Sequence, residues 1–233
     1  MWSDTGNRCT EVGMRPRDGI ASRRFERWRR LRPTRARATE LRLLAVLDAN
    51  VLYPFQLRNL LLWLAVEGLY EPLWSELILD EVRRNLRAEA GLSMRQLEHL
   101  ESQLRRAFPE GWGSDFRGAE QDVGLPDEGD RHVLALAVHY EADVIVTWNT
   151  KHFPETVLST FGLEPTRPPT FLDWLWTADP DGVLKAAEAH RTSLVRDPMT
   201  PPAYLDALRI RAGLRRFAQR LEKAGFAESA PGR

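Results

Sequence analysis

The sequence predicts an α/β protein: a parallel sheet covered by helices on both faces, followed by a helical C-terminal extension. Three observations predict it. The continuous apolar runs Leu43-Leu44-Ala45-Val46-Leu47 and Val144-Ile145-Val146 have the character of strands buried on both faces. Segments of helical period alternate with such runs, separated by breaks carrying Gly, Pro and Ser. Beyond Asp179 the chain turns to Leu/Ala/Arg/Glu segments broken by Asp197-Pro198 and Pro201-Pro202, which predicts helices without further strands.

The elements follow in order. The first strand ends in Asp48-Ala49-Asn50. Gln56 to Val66 has apolar residues at helical spacing, with Gly68 placed to end the helix. Glu71 to Trp74 is a short extended piece, and Ser75 is a fitting N-cap for a helix running to about Ala90. Ser93–Ala107 supplies another amphipathic helix. The stretch from Phe108 to Pro126 is a loop with at most a short extended segment. A helix is expected from Asp127 to about Tyr140, then the strand Asp143–Thr147, a short strand over Gly162–Pro165 and a helix over Phe171–Trp176. The resulting division is a flexible basic arm at 1–40, a sheet domain at 41–178 and a helical extension at 179–233.

Composition bounds the chemistry. The formal net charge is zero, so no overall basic field marks a nucleic-acid binder, although Lys151, Lys185 and Lys223 are the only lysines among 33 basic residues. Arginine's planar fork suits phosphate, but a general arginine bias explains the count equally well. Cys9 is the only cysteine, which excludes an internal disulfide and a cysteine-cluster zinc site. The apolar stretch around Leu60–Val66 is far shorter than the ~20 residues that span a bilayer. The N-terminus has no apolar segment of a secretory signal, so a cytoplasmic protein away from membranes is expected.

Ligands of open parallel sheets bind beyond the carboxyl ends of the strands, which directs attention to Asp48. Alone, it could equally be a turn or cap aspartate. Glu81 interrupts the apolar stripe Leu77, Ile78, Val82 and Leu86, and a carboxylate there needs a cation, an arginine partner or a solvent cleft. Asp130 shares the face of Val133, Leu134, Ala137 and Val138 on the next helix. Asp127 is better explained as the N-cap of that helix. Three converging carboxylates suit Mg²⁺ or Mn²⁺. His132, His139 and His152 lie nearby in sequence, but no metalloprotease spacing occurs and surface roles are expected for them. An aspartyl-phosphate phosphatase is disfavoured, because Asp48-Ala49-Asn50 lacks the second aspartate such enzymes use as general acid.

Four segments together carry a resemblance: Ala45 to Leu52, Ser75 through Glu81 to Leu86, Pro126 to Ala135, and Val144 to Pro154. In this order and spacing the region 43–176 resembles the PIN domain family, particularly VapC-type toxin ribonucleases. The resemblance implies a three-layer α/β/α sandwich with a central parallel sheet and a site in which Asp48, Glu81 and Asp130 match the family's three core acids. It implies Mg²⁺- or Mn²⁺-dependent cleavage of RNA to 5′-phosphate and 3′-hydroxyl ends, a cognate antitoxin partner and a homodimer. The fourth segment has Asn149 where the family often has an acid. Asn50, Thr147, Asn149 and Asp127 are supporting positions. The departure at Asn149 leaves a non-catalytic, RNA- or protein-binding PIN-like module with a weakened metal site as the alternative.

Overall fold

The computed structural model describes residues 43–114, 116 and 125–226. The expected arm at 1–40 and Cys9 lie outside the described residues. Among the described residues there are five strands: β1 (Leu44–Leu47), β2 (Glu71–Ser75), β3 (Trp112–Gly113), β4 (Val144–Val146) and β5 (Pro165–Thr166). They form one sheet in the order β3-β2-β1-β4-β5, with every pairing parallel. β1 is central because its backbone is paired on both sides and its side chains Ala45, Val46 and Leu47 are fully buried.

The helices in chain order are α1 (Ala49–Leu52), α2 (Phe55–Val66), α3 (Glu76–Ala90), α4 (Met94–Ala107), α5 (Arg131–His139) and α6 (Glu155–Leu158). They continue with α7 (Pro168–Ala178), α8 (Pro180–Ser193), α9 (Pro201–Ile210) and α10 (Arg215–Lys223). The sheet with its flanking helices is the expected α/β/α arrangement, and a helical C-terminal region comes after it. Among the described residues no helix is long and apolar enough to cross a membrane.

Local chemistry explains the element boundaries. Ser75 accepts a hydrogen bond from Ile78 N at 3.3 Å, the N-cap the sequence predicts, and Gly91 ends α3 in the left-handed conformation. Ser93 and Gln96 form a reciprocal capping box at the start of α4. Two expectations are shifted. The helix expected from Asp127 opens as a 3-10 turn over Glu128–Asp130, because Asp127 Oδ1 takes Gly129 N at 2.9 Å, and the α-helix begins at Arg131. The last strand lies at Pro165–Thr166 rather than Gly162–Pro165, since Gly162 adopts φ +67° to close the preceding turn.

One continuous core unites the sheet with the C-terminal helices, from Val46 and Trp74 through Phe171 and Val183 to Leu205 and Phe217. α8 packs along α2, and Tyr70 meets Phe171 edge-to-face at 5.0 Å. α2 is apolar on more than one side because it is covered both by the sheet and by this second layer.

Gly113 on β3 fixes how α5 approaches the sheet. A Cβ there would lie 2.2 Å from Leu136 Cδ1 and 3.0 Å from Tyr140 Cε2. Leu136 is fully buried, and Tyr140 Oη is tied to both the N–H and the carbonyl of Ser114, so neither side chain has room to yield. Gly113→Ala is expected to destabilise the fold by about 1–3 kcal/mol through overpacking, measurable as a lower urea midpoint with unchanged slope. A midpoint equal to wild type would show that β3 is not held in this contact.

Candidate functional site

All carboxyl ends of the strands lie on one edge of the sheet, and the strand order reverses direction at β1 and β4. That crevice is where open α/β sheets bind ligands. Asp48 sits at its floor, one residue past β1, with 3% of its surface exposed. Its Oδ2 accepts hydrogen bonds from Thr147 Oγ1 and Asn50 Nδ2, both at 2.6 Å. Asn50 Nδ2 also donates to Thr147 Oγ1 at 2.9 Å, and Asn50 Oδ1 accepts from Trp148 N at 3.0 Å. The ends of β1 and β4 are therefore joined by side chains as well as by the backbone bond from Asp48 N to Val146 O.

Asp48 does not use its carboxylate as a helix cap, although it stands at the N-cap position of α1. Its pKa is pushed up to about 6, chiefly by burial, with the nearby charges of Asp130 and Glu81 adding to the rise and the Thr147 hydroxyl opposing it. These mutual effects place the three acids in one electrostatic neighbourhood. Asp130 likewise makes no cap bond, at the N-cap position of α5. Burial raises its pKa, the His152 contact lowers it, and Asp127 and Glu81 raise it further.

Two histidines expected at the surface from the sequence are instead drawn into the site. His132, 8% exposed, meets Glu81 Oε1 through Nε2 at 2.8 Å. His152 Nδ1 lies 2.6 Å from Asp130 Oδ2 and 3.6 Å from Asp127 Oδ2. Glu81 has His132 rather than an arginine as its partner: Arg83, two residues on, is engaged by Glu76, Asp80 and Glu101. His132 carried one usable signal, its place beside the fully apolar run Val133–Ala137 on a helix that also bears Asp130. His152 carried none, because its partners are 22 and 25 residues away along the chain.

Asp127 fills the cap role expected of it through Oδ1 and turns its other oxygen toward His152. Thr147 and Asn50 stand in the hydrogen-bonded group around Asp48. Asn149 reaches that group through its backbone N–H, which donates to Thr147 Oγ1 at 3.0 Å, and the residue itself is exposed.

The donor set fits a hard divalent cation. Asp127, Asp130 and His152 each offer one donor atom within 4.8 Å of one another. Asp48 and Glu81 add negative charge beside them, and Asp48 carries a carboxylate that burial makes costly to ionise alone. Asp130 belongs both to this compact group and to the triad of acids read from the sequence.

Residues 44–151 match the family described as PIN domain, and residues 168–223 match the family described as VapC50 C-terminal domain. The Mycobacterium tuberculosis (strain ATCC 25618 / H37Rv) protein named "Putative ribonuclease VapC50" is 40% identical over 83 residues, covering 34% of this chain and 47% of that protein. The chain thus matches just under half the length of this relative. No solved structure matches it.

The cost of ionising Asp48 is measurable without any substrate. Its folded pKa of about 6 exceeds the ordinary 3.8, so between these values the folded state binds more protons than the unfolded state. Stability then falls as pH rises through that window, by about 3 kcal/mol once Asp48 is fully ionised. In EDTA, Asp48→Asn is expected to melt above wild type at pH 8, and the gap to close toward pH 4. A constant gap across that range, or none, would contradict the assigned environment of Asp48.

With strand-end acids at the switch point of an all-parallel sheet, the chain contains a PIN domain over residues 44–151, followed over residues 168–223 by a region that matches the VapC50 C-terminal domain.

Proposed function

We propose that this protein is a divalent-metal-dependent endoribonuclease of the VapC type, the toxin of a toxin–antitoxin pair acting in the cytoplasm. The observation that carries the reading is the convergence of Asp48, Glu81 and Asp130 on one crevice, with the pKa of Asp48 pushed up by burial and then by the other two charges. The PIN domain match and the name of the mycobacterial relative support it.

In this reading Asp48 and Asp130 are the principal ligands of Mg²⁺ or Mn²⁺, and Glu81 acts through water or on the nucleophile. Bound there, such a cation supplies positive charge for the scissile phosphate and lowers the pKa of a water. The chain's own residues do the positioning. Thr147 and Asn50 hold Asp48 Oδ2 by two short hydrogen bonds, so Oδ1 has one direction to face. His132 does the same for Glu81, and its buried position keeps bulk water off that contact. His152 bridges Asp130 and Asp127, and its imidazole adds a nitrogen donor that suits Mn²⁺ better than Mg²⁺. The substrate is RNA, the cognate antitoxin is the protein partner, and the active form is a homodimer.

One observation favours the alternative of a non-catalytic RNA- or protein-binding module. Asn149, at the position where an acid is common in the family, is exposed and joins the site by its backbone alone, so it adds no charge to hold a second ion.

The test is incubation of wild type and the Asp48→Ala/Asp130→Ala double variant with structured RNAs in Mg²⁺, Mn²⁺ or EDTA, both proteins first shown to be folded by circular dichroism. Cleavage is expected from wild type alone, with 5′-phosphate ends and complete loss in EDTA. The double variant is expected to lose roughly 100-fold or more in rate, as for removal of metal-held charge at a phosphoryl centre. Equal RNA binding by both proteins with cleavage by neither would establish the binding-module alternative.

A further inference from the structure

A polyanion cut by a cluster of carboxylates must be held by cations outside that cluster, since the acids themselves repel its phosphates. The strand-end edge offers such a place beside the acidic crevice. Trp148 directly follows Thr147, and its N–H is bound to Asn50 Oδ1 at 3.0 Å, so its backbone is fixed to the group that holds Asp48. Its ring is half-buried. The guanidinium of Arg167, one residue past β5 on the same edge, lies 5.3 Å from the ring centroid, and Arg167 is itself exposed.

The C-terminal helices supply a third piece. The turn between α9 and α10 passes the indole at Gly213, where a Cβ would stand 3.8 Å from Trp148 Cη2. Gly213 has φ +66°, which lets the chain turn tightly at this point. Arg211 and Arg215, two residues to either side of it, are exposed and make no ion pair among the described residues, as is also true of Lys151. By contrast Arg209, Arg216 and Arg220 in the same helices are matched to acids.

An aromatic face joined to an arginine and bordered by unpaired cations is the composition that holds single-stranded nucleic acid. The base stacks, the guanidinium meets phosphate, and neither contact depends on base identity. We infer that Trp148, Arg167 and the Gly213 turn form a subsite for a nucleotide of single-stranded RNA flanking the scissile phosphate. The base stacks on the Trp148–Arg167 pair and the phosphate is held by Arg167 and the turn. This rests on the ribonuclease reading of the adjacent site, and it gives the C-terminal domain a share in holding substrate.

Binding can be separated from cleavage by working in EDTA with the full chain carrying Asp48→Asn, and measuring the anisotropy of a labelled single-stranded RNA over a series of salt concentrations. Added to this background, Arg167→Gln is expected to weaken binding about tenfold and to reduce the slope of log K against log salt by about 0.7, the value for one lost phosphate contact on a single strand. Trp148→Leu is expected to weaken binding by about tenfold, and Trp148→Phe to restore most of it because a stacking face remains. Arg106→Gln, an exposed change at the end of α4 before the opposite sheet edge, should leave affinity within about twofold.

If folded Arg167→Gln and Trp148→Leu variants bind as their parent does, or if Arg106→Gln weakens binding as much as Arg167→Gln, the subsite is refuted. Should Trp148→Leu fail to fold, Arg167→Gln and its salt slope decide alone. Failure of the wild-type chain to cleave RNA would overturn the nuclease reading, and it is scored in a separate assay from these affinities.

Discussion

The two parallel ladders on either side of β1 are the constraint on which the rest of the structure depends. Because β2 and β4 both run parallel to β1, every strand delivers its carboxyl end to the same edge. Side chains 48, 75 and 147 arrive there as a consequence of register, and the helices after β2 and before β4 bring Glu81 and Asp130 within electrostatic range of Asp48. Strands this short could not hold the arrangement by backbone pairing alone. The Asn50 side chain adds a second clasp, reaching Asp48, Thr147 and the backbone of Trp148 at once. The same clasp aims the Asp48 carboxylate, so holding the sheet edge together and orienting the acid are one interaction.

Much of this was legible in the amino-acid order because it is written locally. The β1 and β4 runs are continuous and apolar, the Ser75 and Ser93 caps sit just before their helices, and Asp48, Glu81 and Asp130 each interrupt a pattern that would otherwise be core. The features that could not be read depend on contacts between residues distant along the chain. The His132–Glu81 contact spans 51 residues and the His152–Asp130 contact 22, and no periodicity announces either. The separate parts played by Asn50 and Asn149 were equally hidden. Both stand two residues after a strand-end side chain of the site, yet Asn50 turns its amide into the edge while Asn149 contributes only backbone, a difference set by the turn after each strand. The short β3 escaped definition because two residues supply too little pattern, and its place is fixed by the fit of Gly113 against Leu136 instead.

The environment of Asp48 shows how such a site trades stability for capacity. Its carboxylate is surrounded by hydroxyl and amide donors rather than by a guanidinium or ammonium, and none of these neutralises it. An arginine in the place of Asn50 would relieve the buried charge and block the crevice in the same stroke. The fold instead keeps the charge available and tolerates a raised pKa, a cost that a bound cation would offset.

The position of α2 between the sheet and α8 bears on how the chain survives in a cell. Leu57, Leu60, Leu61 and Leu64 are almost wholly covered, and α8 supplies part of that cover through Val183, Ala186 and Ala187. Nicking the chain before Pro180 and releasing the helices beyond the cut would strip a leucine-rich wall bare. Exposed apolar surfaces of that kind drive association, so a fragment holding the acidic crevice but lacking the last helices is expected to be prone to aggregate. The C-terminal helices thereby tie the solubility of the sheet-bearing part of the molecule to their own presence.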